Sequence, residues 1–115
     1  MKYEIEFDNY DMVAKFYADL KVSAEFAQDA RKNTNAVDCA RYVTEFCVTL
    51  KMLSMFGADP QVFTDTEISE NNLVLDVIKL AEIYINGERY VIVRNGELDE
   101  SVLRKVLFKF AGSAE

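Results

Sequence analysis

The side chains able to carry chemistry in this sequence are mainly carboxylates. The 115 residues include 20 acidic residues and two cysteines, but no histidine. Without histidine, neither a Ser-His-Asp nor a Cys-His arrangement can form, and a histidine-containing zinc site is excluded as well. The carboxylates show no spacing specific for acid–base catalysis, and there is no tryptophan to stack on a sugar. We therefore predict a protein that is not an enzyme and that has neither a cofactor nor a metal centre.

One alternative keeps a role for the carboxylates. Calcium and magnesium prefer oxygen ligands, and four acids lie close together in the chain: Asp59, Asp65, Glu67 and Glu70. Their spacing does not match an EF-hand loop, and the same residues suit turns and helix caps. A carboxylate-based ion-binding domain therefore stays an alternative to a protein-binding function.

The two cysteines indicate structure rather than reactivity. Cys39 and Cys47 lie eight residues apart in a segment with helical spacing, which separates them by about 12 Å along the axis. That distance excludes a disulfide between them. Both are surrounded by apolar residues, so we predict buried thiols in a reducing compartment. The start of the chain lacks the apolar run of a signal peptide, and we expect a cytoplasmic protein.

The charge of the chain is strongly uneven. Against 20 acidic residues stand 13 basic ones, giving a net charge of −7. Residues 59–100 contain ten acidic and three basic residues. Direct binding of nucleic acid or of an anionic membrane is therefore disfavoured, because both need clustered lysine and arginine. The charge suits a basic site on a protein partner such as a nucleic-acid-handling enzyme, where carboxylates would mimic phosphates. The candidate residues are Glu82, Glu88, Glu97, Asp99 and Glu100.

A second candidate surface is apolar. The stretch from Phe46 to Phe56 is rich in leucine, methionine and phenylalanine nearly all round the expected helix. Methionine adapts to varied partners, so Met52, Met55 and Phe56 could bind the helix or strand of another protein. The pattern leaves open whether these residues fill the core or form an interface, and it leaves open a homo-oligomer.

The elements that must position these residues follow from periodicity and turn signals. Alternation of Tyr3, Ile5 and Phe7 predicts a strand over Lys2–Phe7. A helix of about 22 residues follows a cap at Asp8 or Asn9. A short turn then leads into a second, antiparallel helix that begins after Asn35 and ends at Gly57.

The second half is expected to contain both helices and strands. Residues 57–71 are predicted to form a loop, and 71–81 a helix. The Asn86-Gly87 pair predicts a hairpin of Glu82–Ile85 with Glu88–Arg94, and Asn95-Gly96 a further turn. A last helix is predicted over Asp99–Phe110, followed by a frayed tail. The fold class is therefore α+β in one domain, with an antiparallel sheet of the N-terminal strand and the hairpin, packed against an antiparallel helix pair and further helices.

The layout of residues 3–85 resembles that of small tail-assembly chaperones of tailed bacteriophages. The resemblance rests on a strand ending in Phe7-Asp8, a helix containing residues 11–17, a second helix that closes on Phe56-Gly57, a loop with Phe63 and a helix opened by Asn71-Asn72. It implies a non-enzymatic protein that shields an aggregation-prone tail component. In size and charge the chain also looks like small acidic phage proteins that block a host enzyme, which would place it in the host cytoplasm.

Overall fold

The protein combines helices with an antiparallel sheet, which confirms the α+β class. The computed structural model describes the backbone of residues 2–113 and the side chains of residues 11–109. Within this part of the chain there are three α-helices, one 3-10 helix and four strands. In chain order they are α1 (Lys2–Lys32), α2 (Ala36–Lys51), the 3-10 helix (Met52–Phe56), β1 (Asp59–Ile68), β2 (Val74–Ile85), β3 (Glu88–Arg94), β4 (Glu97–Leu98) and α3 (Glu100–Ser113).

α1 and α2 form the predicted antiparallel pair. The side-chain amide oxygen of Asn35 accepts a hydrogen bond from the backbone N–H of Asp38 at 3.0 Å, so Asn35 caps α2 as expected. Each helix buries a row of residues three or four positions apart. The rows are Val13, Phe16, Leu20, Ala24 and Ala27 on α1, and Cys39, Val43, Phe46 and Leu50 on α2.

The end of the second helical segment also lies where the sequence placed it. The α-helix itself stops at Lys51, and the chain continues as a 3-10 helix to Phe56. Gly57 follows with φ +89°, the left-handed conformation that ends a helix and favours glycine. No α-helix among the described residues is long and apolar enough to span a membrane.

The sheet is an antiparallel meander in the order β1-β2-β3-β4. The predicted hairpin is confirmed, with Ile85 opposite Glu88 across the Asn86-Gly87 turn. The Asn95-Gly96 turn joins β3 to β4, where Arg94 lies opposite Glu97. Successive strand residues point to opposite faces, so Ala81 and Ile83, both fully buried in the core, lie on the face toward the helices.

The predicted N-terminal strand is wrong, because residues Lys2–Phe7 belong to α1. Residues 1–56 contain neither glycine nor proline, so no residue interrupts the helix before Lys32. Asp8 and Asn9, expected to cap the helix, lie inside it. Over six residues the alternating pattern was too short to outweigh continuity with a long helix.

The predicted loop over 57–71 and the helix over 71–81 are also wrong, since these residues form most of β1 and β2. β1 replaces the N-terminal segment as the third long strand of the sheet. The register explains the misleading pattern in β2. Phe63 lies opposite Leu80 but Thr64 lies opposite Ile78, so Lys79 is an extra residue in a bulge. The extra residue allows polar Asp76 and Lys79 to lie in one strand, although their spacing of three residues is typical of a helix.

α3 closes the core at the other end of the chain. Leu103, Val106 and Leu107 are fully buried against the same cluster as Leu20 and Phe46. Asp99 precedes the helix and accepts a hydrogen bond from the backbone N–H of Val102 at 3.2 Å. The helix therefore begins where expected but runs through Ser113, and the last two residues of the predicted tail lie outside the described residues.

Arg31 fastens the end of α1 to the sheet. Its Nε donates to Glu67 Oε1 of β1 at 2.8 Å, and its Nη1 donates to the backbone oxygen of Asn95 at 2.9 Å. A second guanidinium N–H reaches the other carboxylate oxygen, so the ion pair is bidentate. The hydrogen bonds from Arg31 hold the pKa of Glu67 below its usual value.

A carboxylate with a lowered pKa in the folded state stabilises the fold above its unfolded pKa, and this contribution is lost as the pH falls through the folded pKa. We therefore expect Glu67→Gln to lower the melting temperature most at neutral pH. The difference from the unmodified protein should shrink below about pH 4. Melting curves between neutral and acid pH would measure this. The exposed Glu70 offers the control, because Glu70→Gln should change the melting temperature little at any pH; a Glu67→Gln effect independent of pH would contradict the assignment.

Candidate partner-binding site

The solvent face of the helix pair carries a second apolar row on each helix, next to the buried one. Met52 is 46% exposed and Met55 is 75% exposed, so both predicted methionines lie on the surface rather than in the core. Exposed apolar side chains of both helices continue this surface. They are Met12, Val22 and Phe26 on α1 and Val48 on α2.

These rows border an open groove between the two helices, which we call the α1–α2 groove. Its central part has a volume of 520 Å³ and is lined mainly by small and apolar side chains: Ala18, Asp19, Val22, Ser23, Thr44, Glu45, Val48 and Thr49. A neighbouring part of 250 Å³ shares Asp19 and Thr49 with it and ends at Met12 and Met52. The shared residues make the two parts one continuous depression.

At the opposite end, the groove leads to Phe26 and Tyr42, whose rings meet edge to face with centroids 5.2 Å apart. A further depression of 260 Å³ lies between these rings and the turn that joins the helices. From Met12 to Phe26 the groove follows α1 for 14 residues, or about 21 Å. An apolar strip of this length on a small protein marks a candidate interaction surface.

The spacing along the groove alternates between three and four residues on both helices. On α1 the row is Met12, Lys15, Asp19, Val22 and Phe26. On α2 and the 3-10 helix it is Arg41, Glu45, Val48, Met52 and Met55. Two such rows side by side form the kind of surface into which a further helix packs.

The charged residues in these rows are held in ion pairs along each helix. Lys15 Nζ lies 3.6 Å from Asp19 Oδ2, and Arg41 Nε lies 3.3 Å from Glu45 Oε2. The Arg41 guanidinium also lies over the Tyr42 ring, 5.1 Å from its centroid. Exposed pairs of this kind are weak, so a partner can displace them at little cost.

Phe56 differs from the two methionines with which it was predicted. It is half-buried, and its ring packs against that of Phe16 with centroids 6.0 Å apart at an interplanar angle of 80°. Phe56 therefore anchors the 3-10 helix to the core, and only Met52 and Met55 face solvent. The sequence analysis did not predict Val22, Phe26 and Val48 as surface residues. The pattern that indicates them is a second apolar stripe next to the core stripe of each helix.

Among the predicted acidic residues, Glu82 is not on an exposed surface, and that expectation is wrong. Its side chain is 7% exposed and forms an ion pair with Arg89. The hydroxyl of Tyr84 donates to its other carboxylate oxygen at 3.0 Å. Glu82 lies in mid-strand on the sheet face opposite Ala81, where neighbouring side chains cover it, so it stabilises the sheet rather than facing a partner.

Glu88 and Glu100 are held by partners within the chain. The Tyr90 hydroxyl donates to Glu88 at 2.9 Å, and with Lys109 it keeps the pKa of Glu88 below its usual value. The hydroxyl of Tyr17 donates to Glu100 and lowers the pKa of Glu100. Lys21 and Arg104 also lie within 3.5 Å and 3.3 Å of Glu100, so this carboxylate joins α1 to α3.

Glu97 and Asp99 lie beside Glu100 at the junction of β4 and α3. All three line a shallow depression of 370 Å³ together with Arg94. Asp99 accepts a hydrogen bond from the Ser101 hydroxyl at 2.8 Å, which lowers the pKa of Asp99. Glu88 contacts the far end of α3, about 13 Å away along the helix. The structure thus brings together three of the five predicted acidic residues.

The acids considered for ion binding do not converge. Asp59, Asp65 and Glu67 are spread along β1, whose ends lie about 30 Å apart, and Glu67 is occupied by Arg31. Among the described residues, no three cysteine, aspartate or glutamate side chains are placed to share a metal.

Both cysteines are free thiols, as predicted. Cys39 is buried beside Ala30 and Leu75, as predicted, whereas Cys47, also predicted to be buried, is only half-buried. Burial raises the pKa of both thiols, and a raised pKa disfavours the reactive thiolate.

Sequence and structure relatives give no further guidance. Comparison of the chain with protein-family models, curated protein sequences and solved structures gives no match. The evidence for function therefore lies in the exposed apolar rows and in the partners of the acidic side chains.

Proposed function

We propose that the protein is a non-enzymatic binding module that shields an apolar segment of another protein in the α1–α2 groove. The observation that carries the proposal is the exposure of Met52, which lines the groove, and of Met55 three residues further along, at the end of a helix pair whose inner faces are buried. Methionine side chains are flexible and polarisable, so they adapt to apolar partners of differing shape. This role corresponds to the shielding function implied by the resemblance to tail-assembly chaperones.

Three features support the apolar surface over the acidic one. Glu82 is buried, while Glu88 and Glu100 already accept hydrogen bonds from tyrosines of the same chain. A competing partner would have to replace those contacts. The exposed apolar side chains of the groove, by contrast, gain free energy when they leave water, at about 25 cal/mol per Å². Binding through the acidic surface stays the alternative proposal.

Replacing both exposed methionines tests the proposal. We expect Met52→Ser with Met55→Ser to weaken partner capture at least about tenfold while the melting temperature changes by only a few degrees, because neither side chain fills the core. The measurement is capture of bacterial lysate proteins on the immobilised chain at low and high salt, with melting curves of both proteins.

Ile68 provides the control. It is 64% exposed on β1, away from both helices of the groove, so Ile68→Ser should leave capture unchanged. Equal capture by the unmodified protein and the double methionine variant would contradict the proposal. Capture that survives in the variant but disappears in high salt would instead support the acidic surface.

A further inference from the structure

We infer that the occupant of the α1–α2 groove is a single amphipathic helix whose apolar stripe is flanked by lysine and arginine. The inference rests on the proposed function and adds the chemistry of the partner. Its basis is the geometry of the two exposed rows together with the charge of the residues that border them.

The geometry favours a helix over an extended segment. The two rows repeat every three and four residues along antiparallel helices, which is the pattern of holes that receives the side chains of a third helix. A groove of about 21 Å accommodates roughly 14 helical residues, or four turns. An extended segment would instead place side chains every two residues and would leave its backbone hydrogen bonds unpaired against the two helices.

The charge of the groove indicates which residues lie on either side of the apolar stripe of that helix. Two acidic residues, Asp19 and Glu45, line the connected parts of the groove, and two more, Asp29 and Asp38, line the depression beside Phe26 and Tyr42. Both central carboxylates have a cation on their own helix, since Lys15 pairs with Asp19 and Arg41 of the bordering row pairs with Glu45. These pairs are exposed and therefore weak, so lysine or arginine of a partner can replace them. Carboxylates on both sides of an apolar floor match lysine and arginine on either side of an apolar stripe.

The same charges argue against a second copy of the chain as the occupant. Each copy has a net charge of −7 and presents Asp19 and Glu45 in the centre of the groove. Bringing together two chains with this excess of negative charge is opposed by their mutual repulsion, which is strongest at low salt. A basic helix neutralises those carboxylates instead.

Two synthetic peptides of about 16 residues test the inference, since that length covers the groove. Both carry the same stripe of leucines at alternating spacings of three and four. One has lysine and arginine beside the stripe, and the other has glutamate. Affinities for the full chain are measured by fluorescence anisotropy at low and high salt, with peptide helicity followed by circular dichroism.

We expect the basic peptide to bind at least about tenfold more tightly than the acidic one at low salt. That preference should shrink in high salt and in the variant Asp19→Asn with Glu45→Gln. Met52→Ser with Met55→Ser should weaken the binding of both peptides, whereas Ile68→Ser should weaken the binding of neither.

The outcomes separate the inference from the proposed function. Equal affinity for both peptides, still sensitive to the methionine substitutions, would overturn the charge assignment and leave the groove as the binding site. Failure of both peptides to bind, while methionine-dependent capture from lysate persists, would overturn a helical occupant. Concentration-dependent dimerisation that the methionine variant abolishes would identify a second copy as the occupant and overturn the inference.

Discussion

Replacing Phe46 with alanine is expected to lower the free energy of unfolding by about 3–5 kcal/mol, the usual cost of emptying a large core site. Phe46 is fully buried and lies in the cluster that joins α1, α2, α3 and the sheet. In a domain of this size the loss corresponds to a fall in melting temperature of roughly 10–20 °C. Thermal and urea unfolding followed by circular dichroism would measure it.

The control for Phe46 lies two residues further along the same helix. Val48 is 56% exposed at the edge of the groove, so Val48→Ala should change the free energy of unfolding by no more than about 0.5 kcal/mol. The pair therefore separates the buried face of α2 from its binding face. A similar cost for both substitutions would show that the exposed row helps to hold the fold and would weaken the case for a free groove.

Gly96→Ala is expected to destabilise the fold more than Gly87→Ala, although both glycines follow asparagine in a tight turn. Their φ angles are +84° and +83°, so alanine incurs the same backbone cost of about 1–2 kcal/mol at each position. The surroundings differ. A Cβ at Gly96 would lie 2.6 Å from Arg31 Nη1, whereas a Cβ at Gly87 would meet nothing within 4 Å.

The extra cost at Gly96 comes from Arg31. To make room, the guanidinium must move away from the backbone oxygen of Asn95, and the loss of this exposed hydrogen bond adds about 0.5–1.5 kcal/mol. Urea unfolding of both glycine variants, alone and combined with Arg31→Ala, measures this contribution. In the Arg31→Ala background the two glycine substitutions should cost the same. A difference that persists there would assign the effect to the turn itself.

Local sequence patterns predicted the structure correctly where they determine the conformation of the backbone. The Asn35 cap, the glycine at position 57 and the Asn86-Gly87 turn each force a particular backbone conformation, and the structure has all three as predicted. The buried rows of α1 and α2 followed from periodicity for the same reason, since every third or fourth residue of a helix meets the core.

The errors occurred where tertiary contacts decide the structure. Whether Lys2–Phe7 is strand or helix depends on which segment completes the sheet, and β1 occupies that place. In β2 the bulge at Lys79 disturbs the alternation that identifies strands. Periodicity within 74–85 therefore could not distinguish a bulged strand from a helix.

The candidate site was predictable only in part. The composition of the 46–56 segment identified Met52 and Met55, but assigning each apolar residue to the core or to the surface needed the position of the neighbouring helix. The acidic residues were harder, because a carboxylate is free or occupied according to residues distant in sequence. Glu100, for example, is bound by Tyr17, 83 positions earlier in the chain.

That separation has a consequence for how the molecule reaches its native state. The inner face of α1, including Leu20, shares one core with Leu103 and Leu107 of α3. During synthesis, the first two helices leave the ribosome before the segment that covers them, so their apolar faces meet solvent or a cellular folding factor first. Contacts between distant parts of a chain slow folding, and α3, which is made after the other elements of this core, is required to complete it.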